Sequence, residues 1–170
     1  ASRALANWAF LEKLRGLWPH NLIVKGVTSF SDAQRIQKLG VDAIYVSNHG
    51  GRQLDSVPAS IDILPYIRRA VGPDYPLIMD SGVRSGEDIL KALVLGANFV
   101  MLGRPIMFAL GAGGAHGLDS LIEGLKYDLS TGMAQIGLKA IADACPKNLA
   151  ETDIFLPSVS QERPDFKGYL

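Results

Sequence analysis

The segment Ser47-Asn48-His49-Gly50-Gly51-Arg52-Gln53-Leu54-Asp55 gathers residue types that could do chemistry together. An imidazole at His49 can take up a proton near neutral pH. A guanidinium three residues later, at Arg52, can hold a carboxylate in a two-pronged hydrogen bond. The two glycines between them let the main chain come close to a flat ligand. A lone histidine on a surface loop would carry little meaning, but this combination directly after an apolar run points to proton transfer beside a bound carboxylate.

Two further segments suit an anion. Asp80-Ser81-Gly82-Val83-Arg84-Ser85-Gly86 and Leu102-Gly103-Arg104-Pro105 each put glycine beside arginine after an apolar run, and glycine-rich turns expose several N–H donors to an anion. The elements that must position these groups are legible from periodicity. Short apolar runs at 22–27, 43–47, 76–79 and 99–102 are bounded by turn residues and predict buried parallel strands. Helical patterns at 31–39, 61–71 and 86–95 lie between them, so strand and helix alternate.

An internal repeat organises these units. Gly26-Val27-Thr28-Ser29, followed by Asp32, Leu39 and Gly40, matches Gly82-Val83-Arg84-Ser85, followed by Asp88, Leu95 and Gly96, at a constant offset of 56 residues. In each copy serine can cap a helix with an acid three residues on, and glycine can end it. A repeat of two strand–helix units predicts an α/β fold: the C-terminal half of a (β/α)8 barrel, with four parallel strands alternating with helices. The competing architecture is an open doubly wound sheet. Leu5, Trp8, Leu11, Leu14 and Trp18 predict a helix before the first strand, and Leu118, Leu121, Ile122, Leu125, Leu129, Met133 and Ile136 predict a closing helix with Met133 in the core. The half barrel is expected to span 1–145 and an extended arm 146–170.

Composition narrows the partners. Lys plus Arg and Asp plus Glu number 17 each, so no net field draws the chain to nucleic acid or an anionic membrane. The single Cys145 cannot form an internal disulfide, and no Cys and His cluster has metal-site spacing. No signal peptide or membrane span of about 20 residues is expected, and the reading is a soluble protein of the reducing cytoplasm.

The Ser47 to Asp55 motif resembles the signature of the FMN-dependent L-2-hydroxy-acid dehydrogenases and oxidases, the family that includes lactate dehydrogenase, glycolate oxidase and mandelate dehydrogenase types. Lys25 in Ile23-Val24-Lys25-Gly26-Val27, the Asp80 segment and the Gly103 segment match in order and spacing, which extends the resemblance from about Trp8 to about Ile141. It implies FMN as cofactor, a small 2-hydroxy acid as substrate, and a separate electron acceptor. His49 would be the base and Arg52 the carboxylate ligand. Lys25 would stand near the N1 and C2 carbonyl end of the flavin ring, where a positive charge favours the electron-rich reduced form, with Ser47 among the cofactor contacts. Asp80 would hydrogen-bond the ribityl chain, while Gly82, Arg84, Gly103 and Arg104 would hold the phosphate through backbone amides and guanidinium groups. Ser81, where many family members have glycine, is expected to have little consequence.

The resemblance covers only the C-terminal half of the family barrel, so the partner is an N-terminal half of the same barrel or a second copy, within a homo-oligomer. It also leaves room for peripheral attachment to the inner membrane in a full-length enzyme. A noncatalytic half barrel that retains only a phosphate or FMN site is the alternative. Another phosphate-binding barrel would account for the Asp80 and Gly103 segments, but not for the His49 motif. Whether the base removes the hydroxyl or the carbon proton is open at this stage.

Overall fold

The computed structural model describes residues 6–149. Helix α1 (Trp8–Leu17) is capped by the Asn7 side chain and leads to β1 (Ile23–Val27). There follow α2 (Phe30–Lys38), β2 (Ala43–Val46), α3 (Ser60–Val71), β3 (Leu77–Met79), α4 (Gly86–Val94), β4 (Phe99–Val100) and α5 (Arg104–Gln135). The four strands form one parallel sheet in the order β1-β2-β3-β4. A doubly wound sheet reverses its strand order partway; this one never does, and it is the four-strand segment expected of half a (β/α)8 barrel. Leu5 and residues 150–170 of the expected arm lie outside the described residues, and Pro146–Asn148, where an extended arm was expected to begin, form a 3-10 turn. No helix among the described residues is long and apolar enough to cross a membrane.

Register separates the two faces. Lys25, Tyr45, Ile78 and Phe99 pair across the four strands and so share one face. On the other face Ile44 pairs with Leu77 and Val46 with Met79, and these four are at most 2% exposed, packed with Ala33, Ile36, Leu64, Ile67 and Ala92 from the helices. The Lys25 face lacks such cover among the described residues: Ile23 is 49% and Phe99 60% exposed.

The repeat is real at the level of hydrogen bonds. Ser29 and Ser85 cap α2 and α4 through the amides of Asp32 and Asp88, and Gly40 and Gly96 take left-handed φ values of 74° and 107° after the helices end. Asp42 accepts the amide of Leu22, and Asn98, 56 residues on, accepts the amide of Leu77. Each Asx residue is also held by an arginine from a helix, Arg15 or Arg68. Arg15 donates to the carbonyls of Trp18, His20 and Gly40, and Arg68 to those of Gly72, Pro73, Tyr75 and Gly96. These two guanidinium groups tie together the loops that lead into the strands.

Helix α5 starts earlier than the apolar stripe suggested and breaks at Gly113 and Gly114, which have non-helical backbone angles. Leu118, Leu121, Leu125 and Leu129 are half-buried and Ile122 and Ile136 are exposed, while Met133, expected in the core, is only half-buried and lies outside the buried cluster. Gly86 sets how closely α4 meets α5: a Cβ there would stand 2.2 Å from the Leu129 amide nitrogen.

Candidate active site

All the chemistry-bearing loops leave the sheet at the C-terminal ends of its strands, where barrel folds carry their sites. After β2 the chain makes a short 3-10 turn at His49–Gly51. His49, Gly50 and Gly51 take φ values of 57°, 65° and 75°, three left-handed residues in succession. Glycine takes that conformation freely, while a residue with a Cβ is disfavoured there by about 1–2 kcal/mol. The paired glycines thus serve the turn that presents His49. The turn is anchored by the buried Ser47, whose Oγ accepts the His49 amide at 3.1 Å, and by Ser60, whose Oγ accepts the Asn48 amide at 3.0 Å.

Beneath the imidazole, β1 carries an irregularity. Lys25 pairs with Tyr45 but Val27 pairs with Val46, which leaves Gly26 as an extra residue with φ 91°. A Cβ on Gly26 would approach His49 Cε1 to 3.2 Å. Gly26 therefore both bends the strand and gives the ring its place, a role beyond its part in the Lys25 motif.

Lys25 and Asp80 form the charged centre of the inner face. Lys25 Nζ donates to Asp80 Oδ2 at 2.8 Å and Ser47 Oγ at 2.9 Å, and stands 4.0 Å from the centre of the Tyr45 ring. The Tyr45 hydroxyl donates to the same Asp80 oxygen at 2.9 Å, and Ser81 Oγ donates to Asp80 Oδ1 at 2.7 Å. Burial works to raise the Asp80 carboxyl, but hydrogen bonds from Lys25, Ser47, Ser81 and Tyr45 outweigh it and hold the group below its ordinary value. The Tyr45 hydroxyl is pushed up, first by burial and then by Asp80.

The anion side is built from the β3 and β4 loops. Gly82 has φ 89°, and a Cβ on either Gly82 or Gly103 would meet no heavy atom within 4 Å, so both turns present open backbone. Gly103 opens α5 with no side chain capping the helix, which leaves the positive end of the helix dipole available to an anion. Arg104 donates to the Gly50 carbonyl at 3.4 Å; among the described residues the side chains of Arg84 and Arg52 make no hydrogen bond or ion pair. The Arg84 amide is committed to Asp88 at 2.9 Å, so this residue can offer an anion only its guanidinium.

One cleft of about 290 Å³ is lined by Lys25, His49, Arg52, Asp80, Gly82, Arg84, Gly103 and Arg104. Of the site residues expected from sequence, Ser47 alone does not line it: at 1% exposure it lies underneath, holding Lys25 and the His49 amide. Asp80 does line it, with its carboxylate already engaged by neighbouring side chains, Lys25, Tyr45 and Ser81 among them. Ser81 departs most from expectation. Its φ of 77° is left-handed, and its hydroxyl bonds both Asp80 and the Gly50 amide, so serine here has structural consequences that its small size did not suggest. Tyr45 and Gly26 were absent from the expected site because the first reads as a strand aromatic and the second as punctuation.

Comparison with known proteins gives the family and the fold. The family profile described as FMN-dependent dehydrogenase matches residues 1–151. An (S)-mandelate dehydrogenase of Pseudomonas putida is 44% identical over 143 residues, 84% of this chain and 36% of that protein. A 2-hydroxyacid oxidase of Dictyostelium discoideum is 43% identical over 137 residues, 81% of this chain and 35% of that protein. The crystal structure of a monotopic membrane protein, (S)-mandelate dehydrogenase, superposes with a TM-score of 0.81 at 43% identity, covering 86% of this chain and 39% of that one. A Pediococcus acidilactici lactate oxidase structure gives 0.75 at 44% identity over 79% of this chain. The chain thus spans little more than a third of the length of the curated relatives it matches.

Proposed function

The chain belongs to the FMN-dependent dehydrogenase family, and from that premise we propose that it supplies the catalytic base, the carboxylate ligand and the phosphate cradle for oxidation of an L-2-hydroxy acid, such as L-lactate, to the 2-oxo acid. The observation that carries the proposal is the cleft in which His49 and Arg52 stand together with Lys25, Arg84 and Arg104. The site suits FMN on its own terms: an uncapped helix start, two arginines and two open glycine turns fit the phosphate, and a lysine on the inner face fits the electron-rich end of a flavin. When bound, FMN supplies the two-electron acceptor that the oxidation of a carbinol to a ketone requires.

The residues of this chain do the rest. Arg52 holds the substrate carboxylate and so fixes the orientation of the carbinol carbon in the cleft, a contribution of positioning. His49 takes one substrate proton on an imidazole nitrogen, which is general-base catalysis. Gly82 and Gly103 through their backbone, with Arg84 and Arg104 through their guanidinium groups, hold the phosphate; Asp80 keeps Lys25 in place. The exposed Ile23 and Phe99 on the Lys25 face favour an arrangement in which a complementary half barrel covers that face.

Purifying the chain alone and with a complementary half barrel, recording the flavin spectrum, and adding L-lactate, glycolate or mandelate without oxygen tests this. Bleaching of a yellow assembly on addition of a hydroxy acid is the expected result. A yellow protein that no hydroxy acid bleaches would leave an FMN-binding half barrel without turnover, the second reading, which the exposed inner face favours for the chain alone. A colourless protein in every assembly would refute the cofactor assignment.

A further inference from the structure

We infer that Ser81 is a positioning residue that ties the His49 turn to the Lys25–Asp80 pair. The inference takes His49 as the base from the reading above. The residue sits in a left-handed conformation, φ 77°, directly before Gly82 at φ 89°. Glycine would occupy that position without strain, so the hydroxyl must earn its place. It does two things at once: Oγ accepts the Gly50 amide at 3.0 Å and donates to Asp80 Oδ1 at 2.7 Å.

The result is one continuous chain of polar contacts. The Gly50 amide donates to Ser81, Ser81 to Asp80, and the opposite oxygen of Asp80 accepts from Lys25 and Tyr45. A hydroxyl that donates to a carboxylate is polarised into a better acceptor, so each contact strengthens the next. The Gly50 amide also bonds Asn48 Oδ1 at 2.9 Å, but that contact lies within the same turn. Ser81 is the contact that joins this amide to a neighbouring loop. Gly50 follows the base directly, so a slack Gly50 peptide lets the imidazole drift from the position that Gly26 opens for it.

Two variants separate the hydroxyl from the backbone. Ser81→Gly relieves the strain and removes the hydroxyl; Ser81→Ala keeps the strain and removes the hydroxyl. Amide hydrogen exchange in the full chain without flavin should show the Gly50 amide opening about threefold faster or more in both variants, because one of its two acceptors is gone. The melting temperature of Ser81→Gly should be equal to or above that of the parent, while kcat in the flavin-loaded assembly falls about tenfold through loss of alignment. A serine of merely structural value would leave Gly50 exchange unchanged in Ser81→Gly, and that outcome overturns the inference. Faster exchange in Ser81→Ala alone would assign the effect to backbone strain and overturn it as well. Exchange is read without flavin, so a colourless protein would defeat the cofactor assignment and leave this test intact.

Discussion

Replacing Asp80 by asparagine should expose how much the inner-face network contributes to folding. The carboxylate accepts from Lys25 at 2.8 Å, Tyr45 at 2.9 Å and Ser81 at 2.7 Å. Asparagine keeps one acceptor oxygen and turns a donor toward groups that themselves donate, so at least one bond is lost and the Lys25 charge loses its partner. A hydrogen bond to a charged group contributes about 1.5–3 kcal/mol; the Lys25 side chain is 40% exposed and Asp80 20% exposed, so solvent screens the ion pair itself. The expected cost is about 2 kcal/mol at pH 7, read by urea unfolding of parent and Asp80→Asn. Its pH dependence is fixed in sign. The folded protein holds this carboxyl below its ordinary value of 3.8, so the unfolded state takes up the proton first. The contribution is complete well above about pH 4 and disappears as pH falls through the folded-state value. The stability difference between parent and variant should therefore shrink steadily below about pH 4. A difference that stays constant from pH 7 to pH 3 would refute the assignment of its origin to the ionised carboxylate.

Arg68→Met keeps most of the side-chain bulk but leaves the carbonyls of Gly72, Pro73, Tyr75 and Gly96 without their shared donor; a loss of about 3 kcal/mol or more is expected in urea unfolding. Gly86→Ala would drive a methyl against the backbone of α5 at Leu125 and Leu129, and should lower stability by about 2–3 kcal/mol without altering flavin binding, which a melting curve and a flavin titration together would check. In the flavin-loaded assembly, His49→Ala should reduce kcat by about 10²–10⁴, whereas Arg52→Ala should chiefly raise KM for the hydroxy acid; steady-state kinetics that left both constants unchanged would remove those roles.

The strands and the three helices between them were legible in the sequence to within a residue or two, because apolar runs bounded by turn residues leave little choice of period. The last strand was read as 99–102, yet only Phe99–Val100 pairs with β3 as a strand, although the Met101 amide still donates to the Met79 carbonyl at 2.8 Å. The start of α5 was missed for a physical reason. Residues 104–117 contain Gly111, Gly113, Gly114 and Gly117, which weaken helix propensity and interrupt the apolar stripe, and the helix breaks where two of them adjoin. The repeat gave the helix caps, but not the arginines that brace the loops into the strands: Arg15 and Arg68 lie 53 residues apart rather than 56, since each reaches its loop from a different point on its helix.

The site divides along a similar line. His49, Arg52, Lys25, Arg84 and Arg104 could be named because their chemistry resides in the side chain, and the structure brings all five to one cleft. What sequence could not show was how the backbone is bent to hold them. The left-handed run through His49, the extra residue at Gly26 and the left-handed Ser81 are facts of φ and ψ, and two of the three fall on residues with a Cβ, where propensity argues against that conformation. Non-glycine residues in this region persist only where surrounding contacts hold them. His49 is held through the amides on either side of its α-carbon, by Ser47 and by Ser81. The same serine that looked like an idle replacement for glycine is therefore part of what keeps the proposed base in its strained and exposed position.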